Sequence, residues 1–515
     1  MSRGDVGRTM PGSAVLDLAS RLAGAMTGLL VGDALGVPYE GDPPDRVGDV
    51  SFPNGGSRER PAGTWSDDGA LALALLDSLL SAGFDPEDQG RRALAWFRDG
   101  AYTPDGAFGS GRTTRRALRA LASGVPAIDA GPSDEQACGN GSLMRILPLA
   151  LVHRDAAPTV LIELAHQASR VTHGHPRCQV ACAVYCLLVQ ALLRGVPPEA
   201  ALAEAMDTAE HVYGADRSTD GHRAALAELR AWPTRQGRGF VLDSFWSAWD
   251  AFAGGTDFED AIRRAIAYGH DTDTTAAIAG GLAGARFGWE GIPLEWRRAL
   301  RARALVARLV DGLVGDTGVR TSTASPLRVE DIPLADAPGL ADARGRLGIT
   351  LLPGKKRDGR TGPYWRDLPA DIDRLTALGM DTLFLLVEDA ELVRCLVPEM
   401  EREVVAAGRP TLIRFPIPDP HVPADLPAFQ AAILDLVGRI WRGESVAIAC
   451  RAGLDRSGMA AACLLREAGM DADAAIARVQ AHRRGSITLR AQQGVVRAWR
   501  PTRSRRGAGH PVNPA

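Results

Sequence analysis

Residues 63–76 read GTWSDDGALALALL, and residues 271–285 read DTDTTAAIAGGLAGA. Each stretch sets paired acids and a hydroxyl (Ser66-Asp67-Asp68; Asp271-Thr272-Asp273-Thr274) directly before a small-residue, apolar run. Adjacent aspartates at a helix start repel each other unless something neutralises them. One reading is ordinary capping, in which Asp and Ser accept hydrogen bonds from the free N–H groups of the first turn. The other is a hard-cation site. Carboxylate and hydroxyl oxygens without cysteine suit Mg²⁺ or Mn²⁺ rather than zinc. Four carboxylates in one place would hold two such ions roughly 3.5–4 Å apart, with a water or hydroxyl between them. Two such clusters in one region favour the cation site.

Working outward, apolar residues recur at helical spacing in Leu16–Leu35, Ala70–Leu80, Ala93–Phe97, Val160–Ala168, Val180–Leu193, Ala224–Trp232 and Ala276–Phe287. No convincing alternating strand interrupts them. This predicts one all-α domain over residues 15–315. After it the pattern changes. Residues 316–335 are polar and turn-rich and read as a linker. Ile349–Leu352, Thr382–Val387, Thr411–Phe415 and Ser445–Ala449 then read as short strands. Between and after them lie helical runs at Asp371–Leu378, Ala390–Ala407, Ala428–Trp441, Met459–Ala468 and Ala474–Arg483. The expectation is a smaller α/β domain over residues 336–500. Residues 1–14 and 501–515 read as disordered tails.

Composition bounds the function. Of 515 residues 45% are hydrophobic and 23% charged, which excludes a mainly disordered chain. A net charge of -3 gives no overall nucleic-acid footprint. Seven cysteines, an odd number, contain no C-x-x-C pair, so neither a disulfide framework nor a zinc ribbon is expected, and a reducing cytoplasm fits. The first residues lack the basic, apolar and small-residue order of a signal peptide. The most apolar stretch, Leu22 to Val37, reads as too short for a bilayer and carries Asp33, so no membrane partner is expected.

Further motifs accompany the acid clusters. They are Gly32-Asp33-Ala34-Leu35-Gly36 with Tyr39-Glu40, Gly109-Ser110-Gly111-Arg112-Thr113-Thr114, Gly139-Asn140-Gly141-Ser142-Leu143-Met144-Arg145 and Thr172-His173-Gly174-His175. Close glycines let backbone N–H groups approach a phosphate. The ordered set resembles the ADP-ribosylglycohydrolase family over about residues 15–315. The resemblance implies an all-α fold, two divalent cations (Mg²⁺ or Mn²⁺) and ADP-ribosylated protein substrates. Carried over residue by residue, it implies metal ligation by Ser66, Asp67, Asp68, Asp271, Asp273 and Thr274. Glu40 matches an acidic residue that gates substrate entry. Gly109, Gly111, Asn140, Gly141, Ser142 and His173 fall in the loops that hold ADP-ribose, with Gly139–Met144 at the pyrophosphate. Hydrolysis at the ribose anomeric carbon develops oxocarbenium character. A carboxylate among Asp67, Asp68, Asp271 and Asp273 takes the proton of the attacking water, so Asp67 and Asp68 count as catalytic as well as metal-binding. His173 and His175 also read as plain loop histidines. Cys178, Cys182 and Cys186, spaced by four on one helix face, read as core packing.

Residues 445–458, SVAIACRAGLDRSG, place C-x5-R between an apolar strand and a helix. Loop N–H groups and the helix N-terminus converge there on one anion and favour the Cys450 thiolate. Arg456 can grip two phosphate oxygens. Asp419, in the upstream stretch Phe415-Pro416-Ile417-Pro418-Asp419-Pro420, can protonate a leaving oxygen, and Ser457 can hydrogen-bond the leaving thiolate. This portion resembles the cysteine-dependent dual-specificity phosphatases, nearest the kinase-associated group, over about residues 340–500. The resemblance assigns Cys450 as nucleophile, Arg456 to phosphate binding, Asp419 as acid and Ser457 as helper, and it implies phosphorylated protein substrates. The chain departs from that family at Ala449, where His is usual, and at Asp455, where Gly is common. The leading reading is a two-domain hydrolase that removes ADP-ribose and phosphate. The alternative keeps the glycohydrolase and makes the second domain a phosphate- or phosphoprotein-binding module.

Overall fold

The computed structural model describes residues 11–52, 60–215, 219–359 and 362–502. Two compact units divide the chain, Met1–Gly318 and Val319–Ala515. The expected tails lie mostly outside the described residues, but the N-terminal one is shorter than its 14 residues, because the first helix already starts at Pro11.

Among the described residues the first unit contains fifteen α-helices, and its β structure is a single bridge between Gly139 and Phe240. Its centre is a crossing of two helices, Pro11–Gly36 and Thr272–Gly291. Glycines at 24, 28, 32 and 36 recur every four residues, which places them on one helical face. They meet Gly288, Gly284, Gly280, Ala276 and Asp273 in descending order, so the helices run antiparallel. A methyl group at Gly28 would sit 2.3 Å from the Gly280 carbonyl oxygen, and one at Gly32 would sit 2.0 Å from the Ala276 oxygen. No side chain larger than hydrogen fits there. Gly288 has φ +73 and breaks the helical run of the second partner.

The first helix and the helix Pro176–Leu193 are each long and apolar enough to cross a membrane. This corrects the reading of residues 22–37 as too short. Both are interior helices: Leu22, Met26, Leu29, Leu30, Cys178, Cys182, Val184 and Leu188 are all fully buried. Cys178, Cys182 and Cys186 are free thiols in that core.

The second unit carries two sheets. Strands β1 (Arg320–Thr321), β4 (Lys356–Gly359) and β5 (Gly362–Trp365) form the smaller, in the order β1-β5-β4. Strands β2 (Glu330–Ile332), β3 (Leu347–Leu351), β6 (Thr382–Leu385), β7 (Thr411–Arg414) and β8 (Val446–Cys450) form the larger, in the order β2-β3-β8-β6-β7. In the larger sheet the edge pair β2/β3 is antiparallel and the other pairs are parallel; in the smaller, β4/β5 is antiparallel. The expected strands match β3, β6, β7 and β8 within two residues at each end. The linker reading of 316–335 is corrected: β1 and β2 lie within it, and Thr321, Leu327 and Ile332 are buried. Short polar strands paired by backbone alone leave no hydrophobic alternation to read. The single helix expected over 390–407 is two, Asp389–Arg394 and Met400–Ala407, because Pro398 cannot continue a helix and Leu396 takes φ +57.

Alternate residues of the larger sheet feed two cores. Ile349, Phe384, Ile448 and Cys450 face one, with Phe429, Ile433 and Leu464. Leu383, Leu385, Ala447 and Ala449 face the other, with Leu352, Leu375 and Leu392. Cys450 ends the central strand, at the carboxyl edge of the parallel set, where α/β sheets carry their ligand sites.

The helix crossing makes a direct prediction. Gly28→Val forces two backbones apart and lowers unfolding free energy by about 3 kcal/mol or more, read from the denaturation midpoint. Gly48→Ala meets nothing within 4 Å and leaves that midpoint in place.

Candidate functional site

A cleft of about 630 Å³ opens in the first unit. Glu40, Asp67, Asp68, Gly109, Gly111, Asn140, Gly141, His173, Asp271, Asp273 and Thr274 all line it. Residues up to 234 positions apart in sequence thus share one wall. Their placement follows from the helix crossing. Gly36 lies against the Asp273 backbone, where a methyl group would come within 2.4 Å of its Cα. Three residues earlier, Asp33 is fully buried and accepts hydrogen bonds from the Ser66 amide (2.9 Å) and the Gly69 amide (2.7 Å). One carboxylate of the first helix therefore holds the start of helix Asp67–Ala82. The sequence reading quoted Asp33 and gave it no role.

Capping is divided. The Ser66 hydroxyl caps its helix, accepting from the Asp68 amide at 3.3 Å, and donates to Asp68 Oδ2 at 3.0 Å. Asp271 stands at the N-cap position of helix Thr272–Gly291 and makes no side-chain cap bond. Its Oδ2 accepts instead from Asn140 Nδ2 at 2.8 Å, and the same Asn140 nitrogen donates to Ser244 Oγ at 2.9 Å. Gly109, at φ +89, brings its backbone so near that a methyl group would lie 2.3 Å from Asp67 Oδ1. Among the cluster, Ser66 is a capping and positioning residue and does not line the cleft.

Electrostatics mark the cluster. Burial pushes Asp33 up to about 7, against the amide hydrogen bonds that oppose the shift. Burial first, and then neighbouring carboxylates, raise Asp67, Asp68 and Asp273 well above the usual carboxylate range. No cationic side chain figures among the main influences on any of these three. Asp68 Oδ1 is buried without a hydrogen-bond partner. Among the described residues no three His, Cys, Asp or Glu side chains form a ready cage for one ion. Mg²⁺ does not require one: it keeps several waters and takes one or two carboxylates. An all-oxygen donor set, mutual repulsion and an orphaned buried oxygen fit hard divalent cations.

The loops read differently from expectation. The Asn140 amide donates to the Gly239 carbonyl at 3.2 Å, so it is not a phosphate donor. Gly141 is glycine because of His173: a methyl group there would come within 2.7 Å of the imidazole Cε1 and 2.8 Å of Thr114 Oγ1. Ser142 is a correction. It is fully buried, and its hydroxyl is engaged with Ser169 Oγ (2.9 Å) and Cys182 Sγ (3.5 Å) behind the loop. Cys178 Sγ likewise supports the Gly139 carbonyl at 3.4 Å. His175 caps its helix through Nδ1, 3.1 Å from the Arg177 amide. His173 is buried beside Thr172 Oγ1 (3.0 Å), and burial pushes it down to about 3. Arg112, Thr113 and Thr114 line the cleft at a helix start that has no side-chain cap.

The second unit gathers the other predicted set. Cys450 is nearly buried, and its Sγ lies 3.4 Å from Ser457 Oγ. Arg456 is buried in a two-pronged grip, Nη1 and Nη2 each 2.7 Å from a Glu391 carboxylate oxygen. Nη1 also donates to the Ile417 carbonyl at 2.8 Å, while Nε is buried without a hydrogen-bond partner. Asp419 comes within 3.4 Å of Arg456 Nε and 2.7 Å of Arg451 Nη2. Glu391 was missed; a lone acid in a helical run carries no motif. Asp455 turns from the loop and accepts from the Thr488 amide (2.8 Å) and hydroxyl (2.9 Å). Ala449 belongs to an apolar core.

Two predictions follow from these buried groups. Between about pH 6.5 and 3 the unfolded chain protonates His173 and the folded chain does not, so stability falls as pH drops through that window. His173→Gln flattens the slope by up to about 1.4 kcal/mol per pH unit in denaturation series. Glu391→Ala removes both carboxylate oxygens that grip buried Arg456, leaving it Asp419 at 3.4 Å, and costs about 3 kcal/mol in the same assay.

The chain matches the family described as ADP-ribosylglycohydrolase over residues 14–323. It is 32% identical over 283 residues to the ADP-ribosylarginine hydrolase Tri1 of Pseudomonas putida (strain GB-1), covering 54% of this chain and 73% of that protein. It is 29% identical over 326 residues to the ADP-ribosyl-(dinitrogen reductase) glycohydrolase of Rhodospirillum rubrum, covering 60% of this chain and 100% of that protein. A solved kinase-associated phosphatase, with its catalytic-site cysteine replaced by serine, is similar over 33% of this chain and 93% of its own, at 23% identity and a TM-score of 0.30. The acid-lined cleft and the match that spans it lead to one conclusion: through residues 14–323, this chain is a member of the ADP-ribosylglycohydrolase family.

Proposed function

We propose that the first unit hydrolyses the bond between ADP-ribose and a protein side chain, with arginine the side chain of first choice. The observation that carries this reading is the convergence of Asp67, Asp68, Asp271 and Asp273 on one cleft, with no cation among the main influences on the raised carboxyls. The relatives named for hydrolysis of ADP-ribosylarginine and ADP-ribosyl-dinitrogen reductase support it. Asp67, Asp68, Asp271, Asp273 and Thr274 would hold two divalent cations, Mg²⁺ or Mn²⁺, with Ser66 positioning Asp68. Such ions, when bound, supply Lewis acidity at the ribose hydroxyls and the attacking water.

The chain's own groups do the rest. A cluster carboxylate takes the proton of the attacking water as its oxygen bonds to the anomeric carbon. The carbon–nitrogen bond breaks, and a proton passes to the leaving guanidine nitrogen. Asp33 keeps the 66–69 turn in register, and Asn140 orients Asp271. The uncapped helix start at Arg112–Thr114 offers N–H groups and a guanidinium to the pyrophosphate. Glu40, half-buried at the cleft, raises Asp33, Asp67 and Asp273 by its charge and stands where it can gate entry.

For the second unit we propose a cysteine-dependent phosphatase. The supporting observation is Arg456: Glu391 and Ile417 hold its Nη groups, and Nε, which makes no hydrogen bond, lies 3.4 Å from Asp419 Oδ1. Cys450 sulfur bonds to phosphorus as the phosphorus–oxygen bond breaks. Asp419 protonates the departing oxygen, and water then releases inorganic phosphate while Ser457 hydrogen-bonds the leaving thiolate. Asp455 is occupied by Thr488, which removes one ground for a binding-only module.

One set of variants separates the two activities. With an ADP-ribosylated arginine peptide and Mg²⁺ or Mn²⁺, Asp68→Ala and Asp271→Ala lower ADP-ribose release by about 100-fold or more, and chelation abolishes it. Cys450→Ser abolishes phosphate release from p-nitrophenyl phosphate. Full ADP-ribose release by Asp68→Ala overturns the first assignment; equal phosphate release by Cys450→Ser overturns the second.

A further inference from the structure

Two thiols meet at the wall of the first unit's cleft. Cys138 is among the residues that line the cleft, directly before the 139–144 loop. Cys178 lies in the first turn of helix Pro176–Leu193 and is fully buried. Its Sγ donates to the carbonyls of Ala137 (3.8 Å) and Gly139 (3.4 Å), the residues on either side of Cys138. It also hydrogen-bonds the Cys138 sulfur itself. Cys182, one turn further on, is engaged with Ser142 Oγ at 3.5 Å, so the sulfur that meets Cys138 is that of Cys178. Both are free thiols.

The surroundings divide the roles of the two sulfurs. Arg177 Nη1 lies 3.7 Å from Cys138 Sγ. Two acids hold that guanidinium in place, Glu135 at Nη1 (2.5 Å) and Glu228 at Nε (2.6 Å), and His175 Nε2 lies 3.4 Å from Glu135. Hydrogen bonding from Cys178 pulls the Cys138 thiol down to about 6. Burial opposes this, while the hydrogen bond and charge of Arg177 and the charge of His175 reinforce it. Cys178 goes the other way, pushed well above the ordinary thiol range by its bond to Cys138 and by burial. A thiolate beside a waiting thiol is the arrangement of a redox-sensing pair. Cys138 is only 3% exposed, so the oxidant that reaches it is small. The same segment sets Asp271. The Cys138 carbonyl accepts from the Val241 amide (3.0 Å), the Asn140 amide donates to the Gly239 carbonyl (3.2 Å), and Asn140 Nδ2 donates to Asp271 Oδ2 (2.8 Å). A bond between the sulfurs takes Cys178 off both carbonyls and draws Cys138 toward the helix, two residues from Asn140.

We propose that Cys138 and Cys178 form a peroxide-sensitive dithiol at the cleft wall, and that closing it to a disulfide misplaces Asn140 and Asp271 and shuts the cleft's hydrolytic activity. The second half rests on the glycohydrolase reading of the first unit. In the first step the Cys138 thiolate sulfur bonds to one peroxide oxygen as the oxygen–oxygen bond breaks, giving a sulfenic acid and hydroxide. The Cys178 sulfur then bonds to the Cys138 sulfur, and its proton leaves with the sulfenic hydroxyl as water. The two sulfurs lose two electrons, which the peroxide takes up. A dithiol reductant reverses the closure by exchange and is itself oxidised.

The full chain is treated with hydrogen peroxide, freed of it, blocked with iodoacetamide and digested with trypsin. Mass spectrometry is expected to find the Cys138 and Cys178 peptides joined, two hydrogens lighter than their sum. In Cys178→Ser the link is absent, and Cys138 is labelled by dimedone as the sulfenic acid. Release of ADP-ribose from an ADP-ribosylated arginine peptide with Mg²⁺ falls by about tenfold or more on oxidation of the wild type, the effect of a small displacement in a site, and returns with dithiothreitol. Cys138→Ser, compared with its own reduced form, is insensitive to peroxide. Absence of the 138–178 link from the treated wild type overturns the pair. A link without loss of ADP-ribose release, or an equal loss in Cys138→Ser, overturns the switch. If the reduced wild type releases no ADP-ribose, the glycohydrolase reading falls instead, and the peptide map alone decides the pair.

Discussion

Backbone against backbone, the helices Pro11–Gly36 and Thr272–Gly291 meet along a face from which side chains have been removed. The cleft of the first unit depends on that contact. A helix crossing lined with hydrogens has one close-packed register, since carbonyl oxygens sit where any methyl group would go. The register delivers two results at the same end. Asp273 comes to rest on Gly36, and Asp33 is carried into the first turn of the helix that bears Asp67 and Asp68. Two acid clusters distant in sequence become neighbours because of glycines that touch neither substrate nor ion. The contact turns a sequence pattern into a site.

The two units hold charge out of water by opposite means. In the second, Arg456 is buried with its counter-charge: Glu391 matches it oxygen for nitrogen, and the pair is neutral before any ligand arrives. In the first, buried carboxyls face one another, and burial with their mutual repulsion raises Asp67, Asp68 and Asp273 well above the usual carboxylate range. A matched pair fixes the geometry of a single donor edge, which suits an anion that must be gripped in one orientation. An unmatched cluster stores repulsion that a cation relieves, which couples cation binding to proton release. Each arrangement fits the chemistry proposed for its unit.

How much of this was legible in the sequence divides along physical lines. The acid clusters, Cys450, Arg456 and the strands β3, β6, β7 and β8 could be read, because their signals are local: a hydrogen-bonding side chain before a helix, an apolar run before a loop. Asp33 and Glu391 could not, because each acts on a partner 33 or 65 positions away. The four-residue spacing of glycines at 24, 28, 32 and 36 was present to be read and points to close helix packing. Strands β1 and β2 escaped because backbone pairing holds them and no apolar alternation marks them. Leu22–Val37 reads as short and carries Asp33, whereas the helix that holds most of it begins eleven residues earlier, at Pro11.

Glycine-rich loops carry the remaining lesson, since a glycine can be there for a ligand or for its own neighbours. Gly141 makes room for His173 and Thr114, and the amide of the next residue back is spent on Gly239. Gly109, by contrast, has φ +89 and lies on Asp67 at the cleft. Gly111 precedes an uncapped helix start and meets no neighbour. The spacing of glycines in the two loops looks alike, yet their surroundings assign them different work: the 139–144 loop is a packed wall that orients Asp271 through Asn140, and the 109–114 turn is the open edge. The backbone N–H groups of an uncapped helix start lie at that open edge, beside Arg112.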